Sequence, residues 1–278
     1  METGNQRFEG LAVASQPLQL DRARNDAQRM SFKDYFSKQA TDYAKFRPRY
    51  PQEMFEYLGR IAPSRQLAWD CGTGNGQAAV GLAAVFDHVI ATDASEKQIA
   101  NAQSHDRVEY RVAPAENSGL ESDAIDLLMV AQALHWFVLD RFYAEARRVL
   151  KPDGVLAATA YNLLQISPGI DQVVNRYYYD IVGPFWPAER ALIESFTELP
   201  FQFPEKDTPS FQMNANWTMD QLLGYLRSWS ATQGFMAARG EDPLEQISGE
   251  LRGIWGNPRQ RRRATWPLIL RVGVKGEA

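Results

Sequence analysis

Residues 67–77, Leu67-Ala68-Trp69-Asp70-Cys71-Gly72-Thr73-Gly74-Asn75-Gly76-Gln77, carry an apolar stretch that ends in an acid and then turns through three alternating glycines. The pattern predicts a strand, a ligand loop and the start of a helix. Glycine adopts backbone conformations that side chains forbid, and without Cβ atoms a guest can lie directly against main-chain N–H groups at the following helix N-terminus. Such a loop suits a nucleotide-like ligand. Its spacing discriminates between guests, because the dinucleotide fingerprint G-x-G-x-x-G, counted from Gly72, wants glycine at position 77, which here is Gln77. An NAD-linked oxidoreductase is disfavoured on that ground.

Outward from the loop, strand and helix signals alternate. His88-Val89-Ile90-Ala91-Thr92-Asp93 is a β-branched run ending in an acid. It lies about twenty residues after the first glycine, where a carboxylate can take both hydroxyls of a ribose. A helix is expected from Ser95 to Ala102, and Val108–Val112 alternates as a third strand leading into Ala113-Pro114-Ala115-Glu116. Ala124–Ala131 reads as a buried fourth strand, Arg141–Leu150 as a helix, Lys151-Pro152-Asp153-Gly154 as a turn and Val155–Ala160 as a fifth strand. Alternation of this kind implies a parallel sheet with right-handed crossovers, whose ligands sit outside the carboxyl ends of the strands.

With these elements in order, Asp70-Cys71-Gly72-Thr73-Gly74-Asn75-Gly76 resembles motif I of the class I S-adenosylmethionine-dependent methyltransferases. The resemblance implies an α/β fold: a Rossmann-like, seven-stranded, mostly parallel sheet with helices on both faces, an antiparallel last strand and a helical insertion near the C-terminus. It implies a methyltransferase using S-adenosyl-L-methionine and releasing S-adenosyl-L-homocysteine. The cofactor residues it implies are Asp70 toward the ammonium end, Gly72, Thr73, Gly74, Gly76 and Gln77 in the loop, Asp93 and Ala94 at the ribose, Ala115 and Glu116 near the adenine, and Ala131 at the end of the fourth strand.

Upstream, Tyr43-Ala44-Lys45-Phe46-Arg47-Pro48-Arg49-Tyr50-Pro51 resembles a signature of the small-molecule methyltransferases related to trans-aconitate methyltransferase. That likeness implies a leading helix folded over the cofactor, with Tyr43 facing the methyl region and the acceptor and Arg47 facing the cofactor carboxylate. Proline punctuation offers a second reading, since Arg47-Pro48 also terminates a helix. Ser31–Phe46 has helix-spaced aromatics, whereas residues 1–30 lack periodicity and read as an extension, either a mobile tail or the product of an upstream start. The domain reading is therefore an extension (1–30) and a methyltransferase domain (31–278). That domain divides into lid helices (31–65), a cofactor core (66–161), substrate-side helices with a sixth strand (162–262) and a last strand (263–275).

The acceptor is expected beyond the fourth strand, at Ala131-Gln132-Ala133-Leu134-His135-Trp136-Phe137, with Gln132, His135 and Trp136 as lining residues. His135 is the candidate base, because imidazole exchanges protons near neutral pH; the competing reading makes it a hydrogen-bonded first-turn residue and Trp136 a core filler. A carboxylate acceptor needs no base and wants an arginine. An aminopropyltransferase would need an acid after the fourth strand, where this chain has Ala131 and Gln132. A non-catalytic or regulatory S-adenosylmethionine-binding protein is the remaining alternative. Beyond the fifth strand, Pro168–Trp186 and Glu189–Phe196 read as helical and Phe201–Met213 as holding the sixth strand. Trp217–Phe235 reads as a helix opened by Asn216 or Thr218, Asp242–Trp255 as another, and Ala264–Val274 as the last strand.

Composition is that of a globular chain, 45% hydrophobic and 23% charged over 278 residues. A net charge of −4 repels polyanions, so nucleic acid is not an expected partner, and Arg259-Gln260-Arg261-Arg262-Arg263 reads as a solvated loop. No apolar run approaches the ~20 residues of a membrane span. The single cysteine, Cys71, is expected to pack rather than react, and His88, His105 and His135 lack metal-ligand spacing, so no metal is expected. The reading is a cytoplasmic enzyme, monomer or homodimer, acting on a small molecule.

Overall fold

Among the described residues seven strands follow one another along a single path, and the segment quoted above supplies the third of them. The computed structural model describes residues 48–187 and 190–276, all within the compact unit Phe36–Ala278. The extension 1–30, the helix expected over 31–46, and both Tyr43 and Arg47 lie outside the described residues.

The first half is α1 (Gln52–Ile61), β1 (Leu67–Cys71), α2 (Gln77–Ala83), β2 (His88–Asp93), α3 (Glu96–Ala100), β3 (Val108–Val112), β4 (Ile125–Ala131), α4 (Leu139–Val149) and β5 (Leu150–Tyr161). The second half is α5 (Pro168–Arg176), α6 (Ala191–Glu194), β6 (Glu205–Lys206), β7 (Gln212–Trp217), α7 (Met219–Arg227), α8 (Ser230–Arg239), α9 (Glu245–Trp255) and β8 (Arg262–Val274). Strands are ordered β3-β2-β1-β4-β5-β8-β6, with β1 to β5 parallel, β8 antiparallel between β5 and β6, and β7 on the first half of β8. The order reverses between β1 and β4, which opens a crevice at their carboxyl ends.

The parallel strands are apolar on both faces because both are covered. In β4, Leu127 and Met129 pack with Met54, Phe55, Leu58 and Leu82, while Leu128 and Val130 pack with Phe142, Ala146 and Val149. A third cluster joins α5 and α7–α9 to β7 and β8, around Tyr177, Trp217, Tyr225, Trp229, Trp255 and Trp266.

Differences from the sequence reading are confined to the second half and to element ends. Trp217 closes a strand whose burial alternates, and Thr218 opens α7 through a capping box with Gln221, so Thr218 rather than Asn216 is the cap. The helix expected to reach Phe235 breaks at Ser228-Trp229, where Trp229 takes an extended backbone (φ −68°, ψ 137°). Its indole thereby packs against Tyr177, Tyr178, Trp186 and Tyr225, a tertiary gain that local propensity cannot report. The sixth strand shrinks to Glu205–Lys206, with Pro204 and Pro209 on either side unable to donate to a ladder. Residues 151–154, read as a turn, continue β5 through Asp153 at φ +60°.

Candidate functional site

The glycine loop owes its shape to left-handed backbone, with φ of +72° at Gly72, +55° at Gly74 and +85° at Gly76. A Cβ on Gly76 would lie 2.2 Å from the Tyr110 hydroxyl, so that glycine is required by close packing. Gly74 is the opposite case: among the described residues nothing lies within 4 Å of where its Cβ would stand, which leaves room there for a ligand. Thr92 stitches the loop to β2 by accepting N–H bonds from Gly72 and Thr73, each at 2.9 Å.

Asp93 does the same with its side chain. Its Oδ2 accepts from the Gly74 N–H and its Oδ1 from the Ser95 N–H, both at 2.9 Å. Burial pushes the carboxyl up from the usual aspartate range while those two N–H groups oppose the shift. Each oxygen retains acceptor capacity, which suits a pair of ribose hydroxyls.

Asp70 is fully buried, with Oδ2 accepting from the Thr73 hydroxyl at 2.5 Å and Oδ1 without a hydrogen-bond partner. Burial raises its pKa to about 7 against the Thr73 hydrogen bond. Two more orphaned oxygens sit at the same edge of the sheet. Gln132, directly after β4 and strained at φ +56°, donates through Nε2 to the Tyr161 carbonyl at 2.9 Å and leaves Oε1 buried and unpartnered. Asn162, directly after β5, leaves Oδ1 in the same condition. Buried acceptors without donors are uncommon, and among the described residues three lie at the carboxyl ends of β1, β4 and β5, where an N–H, an O–H or a cation would satisfy them.

On the acceptor side, residues 134–136 form one turn of 3₁₀-helix. His135 is only 8% exposed and, among the described residues, makes no hydrogen bond. Burial, with the Arg190 charge adding to it, pushes its pKa down to about 4, so the imidazole is neutral at pH 7. Trp136 stacks beside it, ring centroids 4.9 Å apart, and is 44% exposed, which rules out the core-filler reading. Glu116 accepts the Val138 N–H at 2.8 Å, tying the segment after β3 to the loop that carries His135. Ala131 ends β4, Gln77 begins α2, Ala115 is buried and Ala94 exposed.

Hydrogen bonds thus unite Asp70 with Thr73, and Asp93 with the loop. The sequence reading singled out neither Asn162, although its place after the fifth strand was a usable signal, nor Arg190; Tyr178 and Trp186 belong to the aromatic-rich segments beyond the fifth strand, which it left undivided between core and pocket cap. Cys71 is buried and burial raises its thiol pKa, in keeping with packing. Among the described residues no group of three or more His, Cys, Asp or Glu could hold a metal, and no helix is long and apolar enough to cross a membrane. The basic run is spent on the chain itself: Arg261 donates to the Asn216 carbonyl, Arg262 to the Trp255 carbonyl and Arg263 to the Asn214 side chain.

Residues 69–158, from β1 through most of β5, match the family model described as a methyltransferase domain. A Dictyostelium discoideum protein named as a methyltransferase is 36% identical over 79% of this chain and 86% of its own length. A probable S-adenosylmethionine-dependent methyltransferase of Saccharomyces cerevisiae is 26% identical, over about half of each chain (50% and 51%). The solved structure of a protein from Anaeromyxobacter dehalogenans, titled as a type II methyltransferase, superposes with a TM-score of 0.80 at 46% identity, covering 84% of this chain and 99% of that one. Likeness of this extent, on a sheet with this strand order, shows that the chain belongs to the class I S-adenosylmethionine-dependent methyltransferases.

Proposed function

We propose that this enzyme methylates a small organic molecule bearing a carboxylate, in the cytoplasm. The observation that carries the reading is His135, buried in the loop beyond β4 and left without a hydrogen-bond partner among the described residues. A concealed polar group of this kind suits an acceptor that can be enclosed, as small ligands are, better than a protein or nucleic-acid surface.

The residues present fit S-adenosylmethionine. The open space at Gly74 admits it against the backbone, Asp93 offers oxygens to the ribose, and the orphaned Oδ1 of Asp70 offers a partner to the ammonium group. Glu116, one oxygen of which holds Val138, has a second for the adenine amino group. When bound, the cofactor supplies a sulfonium methyl: the acceptor's lone pair forms the new bond to carbon, the S–CH₃ bond breaks with its electron pair left on sulfur, and S-adenosylhomocysteine results.

The protein's task is alignment and exclusion of water, effects worth up to ~7–11 kcal/mol when reactants are well oriented. Gln132, His135 and Trp136 line the acceptor side. With its pKa lowered to about 4, His135 is a feeble base at pH 7, so it orients the acceptor rather than deprotonating it. A nucleophile that is already anionic fits this chemistry, which favours a carboxylate over a phenol or an amine.

Calorimetric titration with S-adenosylhomocysteine and NAD, followed by a screen of small carboxylates, phenols and amines for S-adenosylhomocysteine release, tests the reading. Binding of the first ligand alone together with turnover of carboxylates is expected. Preference for phenols or amines overturns the carboxylate, and turnover confined to protein or nucleic-acid acceptors overturns the small molecule.

A further inference from the structure

The segment after β3 and the loop that leads from β4 into α4 are fastened to each other reciprocally. Glu116 Oε1 accepts at 2.8 Å from the N–H of Val138, the N-cap of α4, where valine has no side-chain oxygen to cap the helix itself. In return, Glu145 of α4 accepts from the Ser118 N–H at 2.8 Å and from the Ser118 hydroxyl. Val138 and Glu145 stand two helical turns apart, about 10 Å along one face of α4. The segment lends its acid to the helix and the helix lends its acid to the segment.

The two fastenings differ in firmness. Ser118 and Glu145 are buried, and Arg148 closes on both carboxylate oxygens of Glu145 at 2.7 and 2.8 Å while reaching the Ser122 hydroxyl at 3.2 Å. Glu116 is only part-buried, and among the described residues its second oxygen has no hydrogen-bond partner. On its other side the loop rests on the glycine turn. A Cβ at Gly72 would stand 2.6 Å from the Ala133 Cβ and 3.1 Å from the Phe137 ring, and Phe137 packs on Phe142 with centroids 5.0 Å apart. His135 and Trp136 thus lie in a loop set between the cofactor turn and the Glu116 carboxylate.

We propose that Glu116 couples cofactor binding to the order of the acceptor loop: an adenine amino group held on one oxygen fixes the carboxylate that holds Val138 on the other. The inference rests on the reading above that places Glu116 at the adenine, and it gives that residue a second role as a positioning residue for the segment with His135 and Trp136. Holding a glutamate costs rotamer freedom, and a side chain already fixed by one partner meets the next at lower cost, so the two bonds strengthen each other. The Ser118–Glu145–Arg148 clamp, two residues on, keeps the segment itself from giving way, so the added order passes into the loop.

The test uses the intact protein with S-adenosylhomocysteine and its deaminated analogue S-inosylhomocysteine, which carries a carbonyl in place of the adenine amino group. Calorimetry reads affinity, and mass spectrometry reads amide hydrogen exchange over residues 132–141. The wild type should bind S-adenosylhomocysteine about tenfold or more tightly than the analogue. At saturation the first ligand should slow exchange in 132–141 by about fivefold or more, and the analogue should leave it near the free rate. Glu116→Ala should exchange faster there without ligand and show no slowing with it, its melting curve little changed. Glu116→Gln keeps an acceptor for Val138 and turns an N–H toward the base, so it should retain the wild-type free rate and favour the analogue. Equal slowing by both saturating ligands, or slowing that survives in Glu116→Ala, overturns the coupling and leaves Glu116 at the adenine if the affinity difference holds. Equal wild-type affinity for the two ligands overturns both.

Discussion

The two ends of one parallel sheet each bury an aspartate completely, and the two are treated in opposite ways. At the amino end, Asp126 of β4 accepts from the N–H groups of Gln66 and Leu67 at 3.1 and 2.9 Å and pairs with Lys151 at 2.8 Å. Burial would raise its pKa, but Lys151 and the Leu67 N–H outweigh that and hold it below the usual range. At the carboxyl end, Asp70 of β1 accepts from the Thr73 hydroxyl and keeps Oδ1 without a partner among the described residues; burial outweighs the lowering by Thr73 and the Ala79 N–H and raises its pKa to about 7. A satisfied buried acid stabilises a fold; an unsatisfied one costs stability and persists where a ligand completes it. Gln132 and Asn162, the other orphans of this edge, extend the same contrast.

Breaking the amino end should have the largest effect. Asp126→Ala strands two backbone N–H groups and the Lys151 charge, and should cost about 3 kcal/mol or more, read as a lowered urea midpoint with cofactor affinity retained in the folded fraction. Asp70→Asn should do the reverse. The native state holds a proton on Asp70 between the unfolded pKa of 3.8 and about 7, so this residue makes stability fall as pH rises through that window and level off above it. The amide removes that slope, so the ligand-free variant should be the more stable protein at pH 8, on the order of 1 kcal/mol or more. Its affinity for S-adenosylhomocysteine should fall by about tenfold or more. Equal affinity for wild type and variant would return Asp70 to the class of merely tolerated acids.

Between pH 6 and 8 the wild type should bind S-adenosylhomocysteine progressively more tightly, by up to roughly tenfold as Asp70 ionises, and Asp70→Asn should flatten the titration. Asp93→Ala should weaken the same ligand with little change in melting temperature, because the Gly74 and Ser95 N–H groups each lose one acceptor at a part-buried site that water can reach. The smallest expected signature belongs to His135. With its pKa lowered to about 4, turnover should show no inflection from this group above about pH 5, whereas His135→Ala should lower turnover more than cofactor affinity. An inflection near 6.5 that vanishes in the variant would restore its role as a base.

The contrast also separates what was legible. The glycine loop, Asp93 and the five parallel strands were readable because each is a contiguous segment whose periodicity states its environment, and because the loop contacts its neighbours through backbone. The opposite state of Asp70 and Asp126 was not readable: both are acids within apolar runs, and only the partners that the fold brings to them differ. Residue 132 gave no warning of its left-handed backbone, since glutamine carries no preference for it. The break at Trp229 was equally hidden, being driven by rings from four other positions.

By itself the amino-acid sequence determined the α/β order, the cofactor loop and the family, because short-range pattern and glycine spacing are local physics. Tertiary structure alone decided which buried acid is satisfied, where the carboxyl edge leaves acceptors open, and how Tyr178, Trp186 and Arg190 are set against one another. Those depend on contacts between distant segments, and satisfaction, desolvation and charge at a site are properties of the company a residue keeps.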